Sequence, residues 1–200
     1  MPRSAPRPRP AADRLAGALL LTPGAGADRT HHTLVAIEQA VAPLPCDRVD
    51  FPRRKAGKMG VDPAPVAIAS LAADADALVA RAGIDPDRLV LGGRSFGGRM
   101  CSMAVAEGHP AAGLVLLSYP LHPPGKPDRL RTEHFPALTP PCLFVSGEND
   151  PFGRPDEFAD AVAAIPGPVT QVWVPGGHDP RNADAAIAAA VAAWLADLTI

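Results

Sequence analysis

Aromatic side chains are scarce in this 200-residue chain: two Trp, one Tyr and six Phe make up 4% of it. Hydrophobic residues nevertheless reach 47%, with Ala abundant, so the core is expected to be built from small aliphatic side chains. Cysteine is as rare. Cys46, Cys101 and Cys142 are odd in number, widely spaced and without a CxxC. That argues against a disulfide framework or a cysteine-based zinc site, and makes a reducing cytoplasm the simplest location. An excess of one charge is also missing: 19 Lys and Arg against 21 Asp and Glu leave a net charge of -2, which excludes a nucleic-acid-coating protein. No stretch approaches the ~20 apolar residues of a membrane helix. Neither nucleic acid nor a membrane is therefore expected as a partner.

What is abundant is proline, at 25 residues, and these must sit in loops and at helix starts. The length suits one domain able to bury roughly 70% of its unfolded surface. Residues 1–15 read as a disordered Pro/Arg-rich tail, with four prolines and three arginines in the first ten positions. The arginines, the apolar stretch Leu15–Thr22 and the small residues Gly24–Ala27 imitate a secretory signal. Asp13 interrupts it, the apolar stretch is short, and cleavage would discard a strand and loop needed below.

From residue 16 to 200 short apolar runs alternate with segments of helical period, the pattern of βα units and a mostly parallel sheet. Strands are predicted at 18–22, 47–51, 88–92, 113–118, 142–146 and 169–174, near-continuous apolar runs as buried parallel strands require. Helices are predicted at 31–41, 65–81, 96–107, 155–165 and 181–198, with Gly83 and Gly108 as stops. The connection 119–141 carries seven prolines and is too long for an idle loop, so it is expected to cover something while leaving an open, shallow pocket.

The sharpest motif is Gly93-Arg94-Ser95-Phe96-Gly97-Gly98, a GxSxG between a strand and a helix. A nucleophilic serine must project from a tight, strained turn, and the flanking glycines leave room for it. Such a serine needs a base and an acid, in the chain order Ser, Asp/Glu, His. Of the four histidines after Ser95, only His178 directly follows a late strand, which makes it the candidate base. For the acid, Asp150 in Gly147-Glu148-Asn149-Asp150-Pro151 is preferred, with Glu148 as the alternative. Asp179 reads as an N-cap for the last helix. Oxyanion donors are expected from the backbone N–H of Phe96 and from the Gly-rich loop 22–27, at Ala25. That loop lacks the GKS/T of a phosphate-binding loop.

These motifs resemble the α/β-hydrolase superfamily, and within it the dienelactone-hydrolase-like small serine hydrolases. Within these the chain resembles the compact branch related to the hydrolase-like domain of a histone-acetylation complex subunit. The resemblance spans about residues 16–198 and rests on PGAG at 23–26, GGRSFGG at 92–98, GENDP at 147–151 and GGH at 176–178. It implies a three-layer fold with a six-stranded parallel sheet of order 2-1-3-4-5-6, helices on both faces and no cap domain. Pro23 departs from the histidine that many relatives carry before the oxyanion glycine. The reading is a serine hydrolase of a small ester, lactone or thioester, with Ser95, Asp150 and His178 as triad and no cofactor. The same fold also serves as a non-catalytic interaction module, and the same triad supports acyl transfer or perhydrolysis.

Arg53 and Arg54, after the second strand, and Arg94 and Arg99, flanking the nucleophile, would suit an anionic substrate group. The pair His31-His32 raises a metal, but with no carboxylate at ligand spacing in sequence a helix-start role is expected and no metal site is assigned.

Overall fold

A computed structural model describes residues 16–198; the segment expected to be a tail, 1–15, lies outside the described residues. Six parallel strands are β1 (Ala18–Thr22), β2 (Cys46–Arg48), β3 (Leu89–Arg94), β4 (Gly113–Leu117), β5 (Cys142–Gly147) and β6 (Val169–Val174). They lie in the order β2-β1-β3-β4-β5-β6, as the resemblance implies. Because successive side chains of a strand point to opposite faces, each apolar run supplies two cores. Leu20, Leu91, Leu114, Leu116 and Phe144 face one side. There they meet Leu71 and Leu78 of α3 (Ala64–Ala82), Cys101 and Ala104 of α4 (Phe96–Ala106), and Phe158 of α5 (Pro155–Val162). Leu19, Leu21, Val90, Val115 and Val145 face the other side. They pack on Leu34 and Ile37 of α1 (His32–Val41) and on Ile187 and Val191 of α6 (Asp184–Asp197). Strands covered on both faces have no polar side to show, which is why their sequences do not alternate.

The few aromatics are concentrated rather than spread. Tyr119–Phe144, Phe144–Phe158 and Phe158–Trp173 meet edge-on at 5.8, 5.5 and 5.2 Å, with Phe135 tilted at 5.4 Å from Tyr119. Such pairs contribute about 0.5–1.5 kcal/mol each beyond the area they bury. They pin the proline-rich connection to the sheet, where Tyr119, Leu121, Phe135 and Leu138 are fully buried.

Element ends shift from the sequence reading by up to three residues, and two of these shifts bear on the site's surroundings. The second strand is Cys46–Arg48 rather than 47–51, and Phe51 instead caps a short helix, α2 (Pro52–Lys55). Proline cannot donate to a sheet ladder but suits a first helical turn, so Pro52 decides this. The last α-helix begins at Asp184, after a 3₁₀ turn at Arg181–Ala183, so Asp179 does not cap it. Among the described residues no helix is long and apolar enough to cross a membrane.

Candidate active site

The strand ends, where β1, β3, β5 and β6 release their loops, gather the sequence-predicted residues. Ser95 sits between β3 and α4 with φ 50° and ψ -114°. A Cβ on Gly97 would stand 2.5–2.7 Å from Thr22 Oγ1, Pro23 O and Thr22 O, and one on Gly93 would meet Gly97 C at 2.7 Å. The two glycines are thus required by close approach of backbone to backbone, which lets Ser95 stand out of the turn. The Ser95 N–H is fixed by donation to Leu117 O at 2.8 Å.

Ser95 Oγ lies 2.9 Å from His178 Nε2, and His178 Nδ1 lies 2.8 Å from Asp150 Oδ2. Asp150 is 1% exposed, and its other oxygen accepts the Phe152 N–H at 2.9 Å. A carboxylate only accepts, so its bond places the imidazole proton on Nδ1 and leaves Nε2 free to accept from the serine hydroxyl. The Phe152 ring lies against the imidazole, centroids 4.1 Å apart. Glu148, the alternative acid, is exposed and has no such bond to His178. Gly147, at the end of β5, serves a close approach too, since a Cβ there would collide with Gly176 O and Gly177 O, and Gly176 itself sits at φ 127°.

The Phe96 N–H belongs to the first turn of α4, beside Ser95. Ala25 and Gly26 line the same cavity, and a Cβ on Gly24 would lie 3.4 Å from Ser95 Cβ, so the loop after β1 runs across Ser95. Arg54 donates through Nε to Ala27 O at 3.1 Å and steadies that loop. Arg53 donates to Met59 O at 3.0 Å. Neither lines the cavity beside Ser95. That cavity, about 510 Å³, is bounded by Ala25, Gly26, Val61, Arg94, Ser95, Phe96, Arg99, Pro120, Arg131, Phe152 and His178. A cleft of about 530 Å³ beneath the starts of β5 and β6 has Asp197 as its only ionisable residue and no base beside a nucleophile.

Arg94 has a role that sequence reasoning missed. Its Nη2 donates to His178 O at 2.6 Å and pairs with Asp179 Oδ1 at 3.1 Å, with the Arg94 side chain only 11% exposed. Burial pulls the guanidinium below its ordinary range, opposed by the charges of Asp179 and Asp150. Burial works to raise the Asp179 carboxyl, but Arg94, Arg181, His31 and His32 outweigh it and hold it low. His31 starts α1 as expected, accepting the Thr33 N–H. The fold also brings it and His32 to 3.4 and 3.6 Å from Asp179 Oδ1, a carboxylate 147 residues from His32 in the chain and invisible to spacing arguments. These three residues have metal-ligating atoms within 4.8 Å of one another, but the shared oxygen already faces Arg94. Arg99, four residues after Ser95, enters the cavity by helical spacing; Arg131 comes from the proline-rich connection, where no pattern announces it.

A family model described as an alpha/beta hydrolase domain matches residues 16–189. Among solved structures, the chain is similar to dienelactone hydrolase from Anabaena variabilis (18% identity, TM-score 0.69, 92% of this chain and 88% of that one). It is similar to a carboxylesterase from Mesorhizobium loti (22%, 0.66, 92% and 90%). It also resembles an alpha-beta serine hydrolase homologue from Coxiella burnetii (19%, 0.69, 94% and 88%). At these identities the likeness is one of fold.

Proposed function

The chain belongs to the alpha/beta hydrolase family, and from that premise we propose that it is a serine hydrolase of small carboxylic esters, lactones or thioesters. The observation that carries the reading is the continuous bonded row Ser95–His178–Asp150, with the acid buried and the serine held in a positive-φ turn. A residue whose backbone costs about 1–3 kcal/mol to hold, at the mouth of a cavity, fits a nucleophile better than a scaffold position.

In this reading Ser95 Oγ attacks the substrate carbonyl carbon while His178 Nε2 takes the hydroxyl proton. A C–O bond forms, and the carbonyl electron pair moves to the oxygen, which the N–H groups of Phe96 and Ala25 receive. The pair then returns, the bond to the leaving oxygen or sulfur breaks, and His178 hands its proton to that atom. Water attacks the acyl-enzyme by the same route, giving its proton to His178, and release of the acid restores the Ser95 hydroxyl. Asp150 orients the ring and stabilises the imidazolium. No cofactor is needed for any step. Pro23 has no N–H, so the loop's donor must come from a later residue, and loss of one donor typically costs ~10² to 10³ in rate.

Fluorophosphonate labelling of the purified protein, read by intact mass and peptide mapping, tests this. Stoichiometric label on Ser95, absent in Ser95→Ala and lost or greatly slowed in His178→Ala, is the expected result. A folded protein that takes no label would favour the interaction-module reading.

A further inference from the structure

Two cations stand in the cavity beside Ser95 without a counter-charge. Several arginines elsewhere find carboxylates, Arg29 with Asp50, Arg48 with Glu38, Arg81 with Asp47 and Arg181 with Asp179, while Arg53 and Arg54 donate to backbone carbonyls. Arg94, in the cavity wall, is likewise paired with Asp179. Arg99 and Arg131 form no ion pair among the described residues, and no Asp or Glu lines the cavity with them. Arg99 Nε is buried and has no hydrogen-bond partner among the described residues. A buried donor is ordinarily satisfied, because leaving it unpaired forfeits its hydration with nothing in return.

The surroundings fix the backbone that carries both side chains without supplying a counter-charge. Tyr119 Oη donates to the Arg131 backbone carbonyl at 3.0 Å, and the Arg131 N–H donates to Leu121 O at 2.7 Å. Ser102 Oγ donates to Arg99 O at 2.9 Å, with His134 Nε2 at 2.8 Å from the same hydroxyl. Burial, and then the charge of Arg99, hold the Arg131 guanidinium below its ordinary range. Burial foremost, and Arg99 next, push His134 down to about 4, so the ring is neutral at pH 7 and adds no charge. Asp128 and Glu133 lie with Arg131 at a separate surface hollow, outside the cavity wall.

We propose that Arg99 and Arg131 form an anion subsite in the cavity beside Ser95, and that the substrate is an ester bearing a carboxylate a few methylenes from the reacting carbonyl. A carboxylate carries one charge and two acceptor oxygens, which match planar guanidinium forks, and it is small enough to share about 510 Å³ with the ester itself. Val61, Phe152 and Pro120 leave an apolar span of wall for the methylenes between. The substrate assignment rests on the hydrolase reading above; the subsite does not.

The test compares monoethyl adipate with its neutral near-isostere ethyl 6-oxoheptanoate by pH-stat, and adds 4-(butanoyloxy)butanoate to place the anion on the alcohol side. Wild-type protein is expected to favour at least one anionic ester by roughly 10- to 100-fold in kcat/KM over the neutral one, as charge-assisted bonds give. That ratio should collapse towards one in Arg99→Gln and in Arg131→Gln, and persist in Arg81→Gln, which removes a charge outside the cavity. Arg131 is on a connection rather than a helix, so its variant decides if Arg99→Gln does not fold. Equal rates for anionic and neutral esters overturn the subsite. If wild-type protein hydrolyses none of them, calorimetric titration of Ser95→Ala with the same compounds separates the two failures. Tighter binding of an anionic ester, lost on adding Arg131→Gln, retains the subsite and removes the hydrolase reading; equal binding overturns the subsite itself.

Discussion

Asp150 accepts from two directions at once, His178 Nδ1 at 2.8 Å and Phe152 N at 2.9 Å, and this fixes what its replacement would do. An asparagine there keeps the oxygen that faces Phe152 and turns its amide N–H towards Nδ1. The imidazole proton is then displaced to Nε2, and His178 can no longer accept from Ser95. Asp150→Asn is therefore expected to fold with an unchanged far-UV spectrum and to lose about 10⁴ in kcat on a short acyl ester. A loss below about tenfold would mean that the carboxylate does not set the tautomer. Gly97→Ala acts one step earlier: with Thr22 and Pro23 backbone oxygens within 2.7 Å of the new Cβ, the turn must open, and label at Ser95 should vanish along with activity.

Between elements, the same geometry depends on two loops keeping their distance. Ser95 follows β3 and His178 follows β6, strands that are not neighbours in the sheet. Arg94 bridges the two through His178 O and Asp179 Oδ1, so it holds His178 opposite Ser95. Asp179→Asn removes the charge but not the shape. The expected outcome is a kcat and a fluorophosphonate labelling rate each lowered roughly tenfold, with KM little changed, because the loosened loop affects the reacting atoms and not the subsite. A purely structural role would lower the melting temperature and leave the labelling rate of the folded protein alone.

This bridge marks where the sequence stops being informative. Hydrophobic runs, glycine stops and the Ser-Asp-His order expose six strands, their order through the resemblance, and three residues that the fold brings into one hydrogen-bonded row. They do so because burial on both faces and a tight turn leave local compositional traces. The short helix α2 was hidden because Val49 to Phe51 reads as strand until Pro52 is given its weight as a helix start. Asp179 looked like a cap because it precedes Pro180 and a helical run, and its ion pair with Arg94 spans 85 residues. Arg53 and Arg54 share composition with Arg99 and Arg131, and only three-dimensional placement separates the pair bonded to backbone carbonyls from the pair left facing the cavity.

At the scale of the whole molecule, acid should unfold this protein through histidines rather than through its triad alone. His31, His109 and His134 are each pushed below the ordinary value of 6.5, in every case with burial as the first cause, and His134 is down at about 4. Opposing charges are weaker: Asp179 and Asp184 at His31, Asp76 at His109, Glu133 at His134. A depressed folded value means that the unfolded chain binds protons that the folded chain refuses. The stability these groups contribute is then fully present above about pH 6.5 and is lost as pH falls towards 4. Urea midpoints measured from pH 7.5 to 4.0 should fall along that window. His134→Gln, which can still bond Ser102, should flatten the curve across the whole window from about pH 6.5 to 4 relative to wild type. His109→Gln, where Asp76 on α3 lies near the ring and away from the cavity, should flatten the curve as pH falls below about 6.5. A wild-type curve that stays level down to pH 4.5 would show that these rings take up protons in the folded state. Protonation at Nδ1 would leave the His134 Nε2–H bond to Ser102 Oγ in place, because that hydroxyl gives its own proton to Arg99 O.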